Sequence, residues 1–109
     1  MTINIRKIAV AGLLLIVFLL VAEVIALLRL RGNIARYQTY WTNRNKTEQG
    51  EFIYLALGDS AAQGLGASKP QNGYVGLLSQ RVAKSTGKTV RTINLSKNGA
   101  KIRDVLDTQ

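Results

Sequence analysis

The chain has 109 residues, 15 of them Lys or Arg against 6 Asp or Glu, for a formal net charge of +9, and 47% of it is apolar. It contains no Cys and no His, which excludes a disulfide-stapled miniprotein, a cysteine zinc or redox site, a histidine-ligated metal centre and a self-contained Ser-His catalytic pair. Domains usually run to roughly 100–150 residues, so one small globular unit is the most the chain can hold.

The apolar residues are unevenly placed. Ile8 to Leu28 is a run of 21 residues in which only Glu23 is polar, with Arg6 and Lys7 before it and Arg29 and Arg31 after it. As a helix it spans about 30 Å, the thickness of a bilayer core. A carboxylate near the centre of a span costs about 2.5–3.5 kcal/mol on insertion scales. The 15 Leu, Ile, Val and Phe side chains of the run contribute about 0.3–0.6 kcal/mol each, so insertion is favoured by several kcal/mol. A buried helix of a soluble core is the plainer alternative, but the rest of the chain is too short to cover a helix that is apolar all round. A cleaved signal peptide is the nearer rival. Glu23-Val24-Ile25-Ala26-Leu27-Leu28 offers no small-x-small cleavage site, so residues 1–31 are expected to be an uncleaved single-pass signal-anchor. Counting basic residues on either side puts the C-terminal part in the cytoplasm. The secretory character of the start argues the other way, and an extracytoplasmic placement at the cell membrane is expected.

Residues 32–50 are polar, with Tyr37, Tyr40 and Trp41 near helical spacing. They are expected to form a juxtamembrane linker with its aromatic residues at the headgroup level. A nucleic-acid stacking platform is the sharper alternative but sits poorly beside a membrane helix, and no nucleic acid is expected as a partner. From Gly32 onward there are 11 basic and 5 acidic residues without a compact run, as suits a solvated basic surface tolerant of anionic headgroups.

Residues 51–109 change pattern. Phe52-Ile53-Tyr54-Leu55-Ala56-Leu57 is a short apolar run ended by Gly58, as in a strand buried in a parallel sheet. Asn72 is a candidate cap for a helix carrying Tyr74, Leu77, Leu78 and Val82 and ending near Thr86-Gly87. Lys88–Leu95 is rich in β-branched residues and reads as a second strand; Asn98-Gly99 breaks it, and Ile102, Val105 and Leu106 begin another helical stripe. This alternation predicts an α/β unit with a parallel sheet and right-handed crossovers, in which ligands gather beyond the carboxyl ends of the strands. Gly58-Asp59-Ser60 and Ser96-Lys97-Asn98-Gly99 should therefore share one rim.

The stretch Leu55-Ala56-Leu57-Gly58-Asp59-Ser60-Ala61-Ala62-Gln63-Gly64-Leu65-Gly66-Ala67 resembles the first sequence block of the SGNH/GDSL hydrolases, and Ile93-Asn94-Leu95-Ser96-Lys97-Asn98-Gly99-Ala100 resembles the second. Two blocks in order, each after a strand, are more specific than a lone Gly-Asp-Ser, which is also a common turn. The resemblance implies a flavodoxin-like parallel sheet of which residues 51–109 are the first two βα units. It also implies a serine esterase or lipase-like acyl hydrolase acting on small ester or acyl substrates without a metal or other cofactor.

By that resemblance Ser60 is the nucleophile, and its N–H and that of Gly99 are oxyanion donors, with Gly58, Asp59 and Asn98 supporting the site. Asp59, next to the nucleophile, is expected to brace the turn and not to serve as the triad acid. The sequence departs from the family after Leu106, where neither the asparagine block nor the closing aspartate and histidine, two residues apart, is found. The expectation is an N-terminal portion of a longer hydrolase, inactive as it stands because Ser60 lacks a base. The alternative from a different class is a non-catalytic, membrane-tethered binding module. Gly64 and Gly66 lack the Gly-Lys-Ser/Thr ending of a phosphate loop, so nucleotide binding is not favoured.

Overall fold

The computed structural model describes residues 4–109, in the order α1 (Ile5–Thr47), β1 (Phe52–Ala56), α2 (Ser60–Gln63), α3 (Tyr74–Thr86), β2 (Val90–Asn94) and α4 (Ile102–Thr108). The chain divides into two compact units at Gly32 and Asn33.

The first unit is the apolar part of α1. Asn4 opens the helix by accepting from the Arg6 N–H through its side chain and from the Lys7 and Ile8 N–H groups through its carbonyl, as an N-cap does. From Ile5 to Gly32 every side chain is exposed. The segment is long and apolar enough to cross a membrane, a test of length and composition that a signal sequence near the N-terminus also passes.

The second unit is a small mixed α/β structure. Its two strands pair in parallel with Phe52 opposite Val90 and Ala56 opposite Asn94. One face of the sheet is covered: Ala56 of β1 packs with Trp41, Ala62 and Val75, and Tyr40 and Tyr54 lie against this cluster. The covered face of β2 is Val90, Thr92 and Asn94, all buried. On the other face Ile53, Leu55 and Leu95 are exposed, as is Leu57 just beyond β1.

The sequence expectation for residues 32–50 needs correction. They are helical through Thr47 and from Asn33 onward belong to the second unit, and Tyr37 and Trp41 are 4% and 1% exposed, which makes them core residues of that unit. The Trp41 indole donates to the Gln63 carbonyl at 2.9 Å, and the Tyr37 hydroxyl donates to the Ala67 carbonyl at 2.5 Å. Each aromatic ring thus buries its body and still satisfies its polar atom. Arg44 stacks near Tyr40 and Trp41 and forms a two-pronged ion pair with Glu48 at 2.8 Å. That pair raises the guanidinium's affinity for its proton against the opposing effect of burial.

Three smaller differences concern element ends. β1 closes at Ala56 and β2 spans Val90–Asn94. α3 begins at Tyr74 with Gly73 at its cap, because Asn72 lies in a 3-10 turn formed by Pro70–Asn72 and its amide donates to the Ser68 hydroxyl. Gly73 cannot be replaced by a larger residue without collision: a Cβ there would lie 2.4 Å from the Gly64 Cα.

Candidate functional site at the carboxyl ends of the strands

β1 runs into Leu57 and Gly58, and the chain then turns sharply into α2. Asp59 caps that helix, its Oδ1 accepting from the Ala61 N–H at 3.0 Å. Ser60 is the first helical residue, half-buried, with its carbonyl accepting from the Leu65 N–H. Its hydroxyl and its own N–H find no hydrogen-bond partner among the described residues.

The other side of the rim is the turn after β2. The Ala100 N–H closes it onto the Lys97 carbonyl at 3.2 Å, and Gly99 sits at φ +75° with its surroundings open. An L side chain rarely adopts that backbone region, so glycine suits the position. Asn98 and Gly99 are exposed, and neither N–H is engaged among the described residues.

The two halves are tied directly. The Lys97 N–H donates to the Gly58 carbonyl at 3.1 Å, one step beyond the bond from the Leu95 N–H to Ala56. The Gln109 side chain reads Gly58 from both sides, its Oε1 accepting from the Gly58 N–H and its Nε2 donating to the Gly58 carbonyl, both at 2.8 Å. Ser60 and Gly99 therefore each stand two residues beyond a pair of residues joined by a hydrogen bond. The described residues include no hydrogen bond from Ser60 to Gly99 or Asn98, no base at the serine, and no cluster of acidic residues that would hold a metal.

Behind Ser60 runs a buried polar seam. Asn94 donates to the Ala62 carbonyl at 2.8 Å and accepts from both the N–H and the hydroxyl of Ser96, at 3.1 and 2.5 Å. Gln63 donates to the Ser96 carbonyl at 3.0 Å and to the Gln38 side chain. Ser79 of α3 and Thr92 of β2 share a hydroxyl–hydroxyl bond of 2.5 Å. The seam fixes the first turn of α2 against the end of β2. Its signal in the sequence is the alternation Thr92, Asn94, Ser96, which places three polar residues on one face of a strand. Gln38 had no such signal, because its segment reads as a linker.

Two shallow clefts open beside the turn. One, of about 300 Å³, lies between the end of α1, the end of β2 and α4; the other, of about 260 Å³, includes Asn98 and Gly99, and the two share Lys97 and Thr108. An apolar groove of about 360 Å³ on α3 is lined by Tyr74, Leu77, Leu78 and Arg81.

No protein-family model, no curated protein and no solved structure matches this chain.

Proposed function

We propose that residues 51–109 are the first two βα units of a membrane-anchored serine acyl hydrolase of SGNH type, with Ser60 as nucleophile and the Ser60 and Gly99 N–H groups as oxyanion donors. The observation that carries this reading is the shared rim: the bond from Lys97 N–H to Gly58 C=O joins the two turns, and both N–H groups are unengaged. Donors already in place where negative charge develops are worth about 2.7–4 kcal/mol each in acyl transfer. In the reaction the Ser60 oxygen attacks the acyl carbon, the alcohol leaves with the proton that the serine gave up to a base, and water later releases the acid by the same route.

The chain contains no histidine, so on this reading the base and the asparagine donor come from outside these 109 residues. The open sheet face supports that placement. Ile53 and Leu55 are 59% and 53% exposed, and the α4 stripe residues Ile102 and Leu106 are 83% and 79% exposed, whereas both faces of a parallel sheet are normally covered. Residues 8–28 serve as the single membrane span, and the hydrolase unit faces the extracytoplasmic side.

The second reading is a tethered module without catalysis, in keeping with a Ser60 hydroxyl that has no base as partner among the described residues. Fluorophosphonate labelling of membranes that carry the complete reading frame separates the two. A hydrolase is labelled, loses the label in Ser60→Ala and loses p-nitrophenyl acetate hydrolysis with it; labelling that survives the substitution removes Ser60 from the mechanism. A protein that is folded but never labelled is the binding module.

A further inference from the structure

We propose that the cleft between the end of α1, the end of β2 and α4 is a phosphate-binding site. This goes beyond the hydrolase reading and stands whether or not Ser60 is a nucleophile.

Several polar atoms of the lining are already engaged. Asn45 is held in place, since both ends of its side-chain amide bond the backbone of Asn94. Gln38 has its carbonyl oxygen engaged by Gln63, which leaves its NH2 group as the free end. The Thr108 hydroxyl is committed to the Asp104 carbonyl at 2.7 Å. Among the lining residues, the side-chain groups without a hydrogen-bond partner among the described residues are the Gln38 amide nitrogen, the Thr42 hydroxyl, and the ammonium groups of Lys46 and Lys97. Apart from the Thr42 hydroxyl, which can act either way, these side-chain groups are donors only.

No carboxylate lines this cleft. Asp104 borders the adjoining one, but its Oδ2 accepts from the Lys101 N–H at 2.7 Å as part of the α4 cap. Among the described residues the one ion pair is Arg44 with Glu48, so Lys46 and Lys97 are both uncompensated. Two like charges around a cleft of about 300 Å³ repel each other, and an anion between them removes that repulsion and gains charge-assisted hydrogen bonds. A phosphate group matches two ammonium donors in charge and offers enough oxygens for the hydroxyl and the amide as well. The wall is preorganised, because Asn45 and Gln38 are held by the buried seam and do not have to be ordered on binding.

The ligand is a phosphate ester, whether in a lipid headgroup or in a soluble compound. The test uses the full chain in maltoside micelles, which carry no phosphate, titrated with inorganic phosphate against chloride at equal ionic strength and followed by amide chemical shifts. The expected result is a saturable shift at Thr42, Lys46 and Lys97 with phosphate alone. The double variant Lys46→Ala/Lys97→Ala should bind about tenfold more weakly or worse, as the loss of hydrogen bonds to a charged group implies, while Arg81→Ala on α3 should bind as the parent does. Adding glycerol 3-phosphate in one arm and phosphatidic acid in the other identifies the source: saturation by only one of them assigns the site to soluble esters or to headgroups. A linear response to phosphate, or saturation unchanged in the double variant, overturns the proposal.

Discussion

The side chain of Asn45 hydrogen-bonds both backbone groups of Asn94, its Oδ1 accepting from the N–H and its Nδ2 donating to the C=O, each at 2.8 Å. Two residues earlier on β2 the Thr92 N–H donates to Glu48 Oε2 at 3.0 Å. The outer edge of β2, which lacks a neighbouring strand, is thus satisfied by side chains from the end of α1 and its next residue. A helix standing in for a strand also protects that edge from pairing with another chain.

Asn45→Leu should therefore destabilise the second unit by about 1–3 kcal/mol, since it leaves two partly buried backbone groups without partners. Urea unfolding of the full chain, followed by circular dichroism, would measure it. A midpoint indistinguishable from the parent would show that water replaces the amide at no cost.

Trp41 is the one tryptophan of the chain and is 1% exposed, so its fluorescence reports directly on the core. Its emission should be blue-shifted in the folded protein and move to the red as the unit unfolds. Trp41→Ala removes the largest member of the core cluster and should cost about 3–5 kcal/mol. Trp41→Phe keeps most of the volume but orphans the Gln63 carbonyl, and should cost clearly less than the alanine variant.

Gly73 and Gly99 should respond differently to alanine. At Gly73 the backbone is extended, but the added carbon meets the Gly64 Cα at 2.4 Å, so the loop and the start of α3 must move apart, at about 1–3 kcal/mol. At Gly99 there is nothing within 4 Å, and only the φ of +75° is costly, at about 1–2 kcal/mol. The separate readout is local: Gly73→Ala should perturb amide shifts in α2 and α3, and Gly99→Ala only the turn after β2.

Burial holds the Tyr54 phenol above its ordinary ionisation range, and neighbouring Tyr74 adds to the effect. With the folded value raised, phenol is neutral in both states below pH about 10, where stability does not depend on this group. Above that pH the unfolded chain ionises first, so stability falls as pH rises. The loss of urea midpoint between pH about 9 and about 11 should be smaller in Tyr54→Phe than in the parent. Equal losses in the two proteins would remove Tyr54 from the alkaline response.

Much of the second unit is legible from residue pattern. The apolar run at Phe52 and the β-branched run before Asn94 mark the two strands, and Val82 with Gly87 marks the end of α3. The parallel pairing follows from the helix between the strands, and it is the pairing that puts Gly58 and Lys97 on one rim. The end of α1 was not legible as core because half of what it contributes is polar. Asn45 and Glu48 meet the sheet and Gln38 meets Gln63 of α2 through hydrogen bonds, and a search for apolar periodicity passes over such residues even when Tyr37 and Trp41 lie four apart on the same helix. Asn72 misleads for a related reason: it is a good capping residue, but the proline two places earlier recruits it into a tighter turn.

After Val90, the face that β2 turns toward the helices is built from Thr92 and Asn94, with Ser96 just beyond the strand, where many parallel sheets continue with valine and isoleucine. Apolar side chains tolerate sliding, since one methyl group is much like the next. Directional bonds do not: moving β2 by a single residue would bring Ile93 to the Ser79 hydroxyl and strand Asn94 on the opposite side. The unit thus trades some strength of cohesion for having a single alignment in which its pieces agree.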